Sequence, residues 1–175
     1  MLCAECGFDW TQPPTTAIDI VANAPSQIAA VLDHHTALVR FRPSPSTWSM
    51  LEYAAHLSDA VDWYADRLER IHAQENAQLE PFDWDTACEQ RGYNGRAPED
   101  VIANVVVSSQ RCVAALRVAA ALDWTGTGVG SDGTPRSTAS QARRAAHKVI
   151  HHLHDVNDVA RRVGGGDRPG GASGG

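Results

Sequence analysis

Lysine is almost absent from this chain: Lys148 is the only one, and the rest of the basic charge is arginine. No long basic cluster tracks a phosphate backbone, and 15 Lys plus Arg against 21 Asp plus Glu leave a net charge of -6. That balance argues against nucleic acid as a partner. A phosphate-binding loop of the Gly-x4-Gly-Lys-Ser/Thr type is missing, which sets aside the commoner phosphate-loop nucleotide enzymes. No stretch approaches the roughly 18 to 20 apolar residues that span a bilayer, and the amino terminus turns polar without the apolar core of a secretory leader. The expectation is a cytoplasmic protein that does not contact a membrane.

Cysteine is scarce too. Cys3, Cys6, Cys88 and Cys112 are the four. In a reducing compartment, paired cysteines point to metal or redox chemistry before structural bridges. "CAECGFDW" is half a zinc knuckle, since a structural zinc wants four ligands and no second Cys-x-x-Cys follows. Cys3 and Cys6 are therefore either zinc ligands completed from elsewhere or by a second copy, or a redox-sensitive pair. Cys112 falls in an apolar helix and reads as an inert buried thiol.

What is present is helical periodicity, with no run that alternates convincingly at the strand period. At 175 residues, one domain is expected. Four long helices can be drawn, over about 16–40, 49–74, 98–123 and 137–163, giving an all-α, four-helix chain. Pro25 is expected to kink or restart the first helix. "SMLE" offers a capping box from Ser49 and Glu52, and Met50, Leu57, Val61, Tyr64 and Leu68 form one apolar stripe below it. A long link joins the second and third helices, and links of that length in a small domain are usually functional or cover something. Pro98 followed by two acids suits a helix start. The segment "WTGTGVGSDGTPRS" reads as a loop or small hairpin. Residues 1–15 form an amino-terminal Cys-x-x-Cys segment, 16–163 the bundle, and 164–175 a Gly-rich tail expected to be disordered.

The chemistry concentrates in "HKVIHHLHDV", residues 147–156. His147 and His151 are four apart, so both imidazoles share a helix face and can share an ion. His56 on the second helix is the candidate third ligand. Three neutral nitrogens with an open position describe a catalytic or sensing site better than a closed structural one. The alternative is a solvated polar face, because Val149, Leu153, Val156 and Ala160 draw an apolar stripe roughly opposite His147 and His151. Asp59, His154 and Asp155 are candidates for the surrounding shell, the carboxylates as acceptors for outer imidazole N–H groups and His154 as a spare ligand or proton carrier. His152 points away from the ligand pair on this reading and receives no role.

"WSMLEYAAHLSD" and "HKVIHHLHDV" together resemble the DinB-like superfamily of bacterial metal-binding four-helix bundles, over about residues 16–163. The opening "CAECGF" is similar to actinobacterial members. The resemblance implies up-down-down-up connectivity, frequent homodimers, and a divalent ion, zinc or nickel, held by His56, His147 and His151. Its enzymes include mycothiol-dependent maleylpyruvate isomerase and bacillithiol-dependent transferases, so it also implies a low-molecular-weight thiol cosubstrate and an electrophile. A cation would keep such a thiol ionised as a nucleophile. The expected function is a metal-dependent, thiol-dependent S-transferase or isomerase. The rival readings are a non-enzymatic metal or thiol stress sensor with Cys3 and Cys6 as its responsive pair, and a helical interaction protein without an ion.

Overall fold

Helix α1, Thr16–His34, passes through Pro25 without a break. Proline removes one backbone donor there. Nearby side chains also bond to the helix backbone: Asn23 Nδ2 donates to the Asp19 carbonyl at 2.9 Å and the Ser26 hydroxyl to that of Asn23 at 2.9 Å. The helix stops at His34 rather than near Arg40, and turns occupy 35–40.

The expected capping box is formed at the head of α2, Met50–Ala73. Ser49 accepts from the Glu52 N–H, and the Glu52 carboxylate accepts from the Ser49 N–H at 2.8 Å. Glu52 is only 2% exposed, and the Arg42 guanidinium grips it with two hydrogen bonds. A buried carboxylate needs such a partner to remain charged. All five residues of the apolar stripe on α2 are buried, each contributing on the order of 1.5–3 kcal/mol for a fully buried large side chain.

This computed structural model describes residues 1–164, without the side chains of Trp84 and Asp85. Of the tail expected to be disordered, Gly164 ends the last helix and 165–175 lie outside the described residues. The remaining elements are β1 (Gln78–Leu79), α3 (Trp84–Gln90), a 3-10 turn at Tyr93–Gly95, α4 (Pro98–Ala121), β2 (Thr127–Gly130), β3 (Pro135–Ser137) and α5 (Thr138–Gly164). Pro98 opens α4, where its missing N–H costs nothing.

Four long helices make the bundle. α2 packs on α4 and α5, and α1 closes the far side of the same two, so that α1 lies diagonally across from α2. Contrary to expectation, α4 has the length and apolar character of a membrane-spanning helix; here it packs between α1 and α2 as a core helix. A small sheet departs from the all-α expectation. β2 and β3 form the hairpin foreseen as one option for 124–137, and β1, from the long link, pairs parallel to β2. The link is thereby tied to the α4–α5 connection. Its buried Tyr93 donates a short hydrogen bond to Asp59, and Arg91 donates to the same carboxylate at 2.8 Å.

Candidate metal centre

The amino-terminal segment folds as a knuckle on the bundle. The Cys3 N–H donates to the Phe8 carbonyl at 2.8 Å and the Gly7 N–H to that of Cys3 at 2.9 Å, with Leu2 bridged to Asp9. The turn needs Gly7 at φ 73°, a left-handed conformation that costs glycine nothing. Phe8, 2% exposed, and Trp10 pack against the His147 ring, with centroids at 5.4 and 4.5 Å. Arg143 Nε donates to the Gln12 carbonyl at 2.8 Å and fastens the end of the segment to α5.

This docking brings four ligand atoms together. Cys3, Cys6, His147 and His151 each offer one atom within 4.8 Å of all the others, each residue half-buried. His147 Nε2 and His151 Nδ1 are buried with no hydrogen-bond partner among the described residues, as imidazole nitrogens that serve as metal ligands would be. The Glu5 carboxylate lies 3.2 Å from His151 Nε2. A carboxylate accepting from that nitrogen leaves Nδ1 as the lone-pair donor, the usual arrangement behind a metal-bound histidine. Backbone N–H groups of Cys6 and Glu5, with help from His151, bring the Cys3 thiol down to about 7, whereas burial pushes Cys6 up. Burial, with the charges of His151, Lys148 and Arg144, lowers His147. Two sulfurs and two neutral imidazoles suit tetrahedral zinc.

The expected three-histidine set is divided. His56 is not part of this cluster; its ring meets that of His152, with centroids 4.9 Å apart, and packs against Trp48. Burial foremost, then His152 and Lys148, push His56 down to about 3, so the imidazole is neutral. His152, expected to point away, instead faces inward. It is 6% exposed, and its Nδ1 lies 3.0 Å from Asp155 Oδ2. The buried face of α5 runs through Ala145, Val149, His152, Val156 and Val159, while Leu153 is only half-buried. Val149, Val156 and Ala160 of the expected stripe are buried, so the difference is confined to Leu153, whose place in the core His152 takes. Lys148, one turn before His152, acts electrostatically on both His56 and His152.

Of the surrounding candidates, Asp155 does sit among imidazoles, also 3.8 Å from His151 Nε2. Asp59 does not: its carboxylate is taken by Arg91 and Tyr93. His154 is exposed at the rim of a cavity of about 480 Å³ that His151, His152, Trp48, Tyr53, Asp155 and Glu5 also line. Glu5 and Lys148 carried no recognisable signal of their own. Position 5 becomes informative only once the knuckle is known to face His151.

The DinB superfamily model matches residues 22–156. The chain belongs to the DinB superfamily. Among solved structures it is similar to YfiT from Bacillus subtilis, at 15% identity, with a TM-score of 0.76 over 86% of this chain and 87% of that one. YfiT is described as a probable metal-dependent hydrolase with an unusual four-helix bundle topology. At that identity the likeness concerns the fold, and α1 diagonal to α2 is this DinB-like chain's version of it. No curated protein matches the chain.

Proposed function

We propose that this DinB-like protein holds one divalent ion, zinc, through Cys3, Cys6, His147 and His151, and works as a metal- and thiol-responsive binding module. The observation that carries the reading is the convergence of four donors within 4.8 Å, two from the knuckle and two from α5. Four protein ligands make a closed site, and closed zinc sites contribute folding energy rather than an open coordination position. Oxidation of the two cysteines, or removal of the ion, would release the knuckle from α5. The test is elemental analysis of purified wild type and Cys6→Ser. About one zinc per wild-type chain and a loss of most of it in the variant is the expected result; equal metal content in the two proteins rejects the assignment.

A second reading is a thiol-dependent S-transferase or isomerase using mycothiol or a similar low-molecular-weight thiol. It is favoured by the cavity of about 480 Å³ beside His151 and by the neutral His56–His152 pair near it. A cation there would stabilise the thiolate of the cosubstrate, provided one protein ligand gives way. Turnover of a generic electrophile that requires mycothiol and is lost in His151→Ala would favour this reading over the module.

A further inference from the structure

On another part of the bundle, a cleft of about 240 Å³ opens between α2, the long link and the β2–β3 hairpin. It shares no lining residue with the Cys/His cluster. Three arginines meet there: Arg67 from α2, Arg136 from β3 and Arg144 from α5. Arg67 is only 6% exposed, yet its partners are neutral. Nε donates to Gln141 Oε1 at 2.8 Å, Nη1 donates to the Glu80 carbonyl at 3.0 Å, and the guanidinium lies 4.2 Å from the Trp63 ring centroid. Among the described residues no carboxylate forms an ion pair with Arg67 or Arg144, and the acid on the cleft wall, Asp132, is 2.7 Å from Arg136.

Burial first, then the charges of Arg136 and Arg144, pull Arg67 below the ordinary arginine range, with Tyr64 and the more distant Asp66 carboxylate opposing. A buried guanidinium that feels two like charges and hydrogen-bonds only to neutral groups is costly unless an anion joins it. Planar guanidinium groups match carboxylate and phosphate oxygens in geometry as well as charge. The other wall is apolar: Trp63 and Phe82 border the same cleft. The fold has assembled a positive corner and an aromatic wall from segments far apart in sequence, α2, the link, the hairpin and α5.

We propose that this cleft binds a small organic anion, its carboxylate or phosphate held by Arg67, Arg136 and Arg144 and its apolar body laid against Trp63 and Phe82. The site is independent of the ion and of its role.

The test is calorimetric titration of the full, metal-loaded protein with benzoate, phenyl phosphate, inorganic phosphate and the neutral isostere benzamide. Saturable binding of benzoate or phenyl phosphate with Kd below about 1 mM is expected, the stronger of the two identifying the anionic group. Arg144→Gln and Arg136→Gln should each weaken it about tenfold or more, with helicity and metal content unchanged. These two arginines are chosen because neither is fully buried, so folding should survive. Absence of saturable binding, equal affinity for benzamide, or affinities unmoved in both variants would overturn the site. Inorganic phosphate binding as tightly as phenyl phosphate would overturn the aromatic half of the proposal.

Discussion

His56 and His152 meet edge to face, their rings at 89° and their centroids 4.9 Å apart, each buried between α2 and α5. His147 and His151 are on the same helix as His152 but belong with the knuckle. The two groups of histidines therefore answer differently to substitution. His151→Ala should strip the ion, whereas His56→Ala should leave metal content near that of wild type while lowering the melting temperature. Elemental analysis beside circular dichroism checks both; loss of metal in His56→Ala would restore the three-histidine arrangement.

The thiols should fall into two classes. Cys3 and Cys6 are half-buried, whereas Cys88 and Cys112 are buried, and burial raises Cys112 to about 12. Reactivity follows thiolate character and access. In chelator-treated native protein, Cys3 should react first with a disulfide reagent at neutral pH, Cys6 next, and the other two only after denaturation. Zinc added beforehand should silence the fast pair; four thiols reacting at one rate would contradict the burial.

Gly7 allows a test of the knuckle that leaves the ligands in place. A Cβ at this position meets nothing within 4 Å, so Gly7→Ala adds only the strain of a left-handed alanine at φ 73°. That strain is about 1–2 kcal/mol, or roughly tenfold in an equilibrium constant. Zinc affinity should weaken by about that factor, while the metal-free bundle melts as before. Competition with a chromophoric chelator provides the measurement.

The Arg42–Glu52 pair makes stability depend on pH. Burial alone would raise the Glu52 carboxyl, but the Arg42 guanidinium and the Ser49 N–H outweigh it and hold the group below its ordinary 4.5. A carboxyl depressed in the folded state stabilises above its unfolded value and loses that contribution as pH falls through the folded one. Arg42→Ala should therefore cost about 2 kcal/mol at neutral pH, the scale for a buried charge deprived of its partner. The difference from wild type should shrink below the ordinary carboxylate range, as followed by urea denaturation across pH.

Much of this arrangement is legible in the sequence, and the rest is hidden for separate physical reasons. The capping box, the α2 stripe and the pairing of His147 with His151 are local, fixed by spacings of three and four residues, and so survive without tertiary knowledge. The meeting of Cys3 and Cys6 with α5 is not local, because nothing in "CAECGF" states which helix it will lie on. The inward turn of His152 is hidden because Leu153 looks like the core position, yet Leu153 is half-buried and the histidine beside it faces inward. Adjacent histidines make that register ambiguous on hydrophobicity alone. β1 was invisible because two residues carry no periodicity, and its pairing depends on a hairpin some fifty positions later.

An ion gripped by Cys6 at one end and His147 at the other would make the polymer nearly circular, since almost the whole sequence lies between those ligands. In chain-entropy terms, a staple closing so long a loop removes more freedom from the denatured ensemble than one closing a short hairpin. The metal would then act at a distance. Its loss should loosen only the first fifteen residues in the native state, yet lower the cost of unravelling every helix enclosed by the ring.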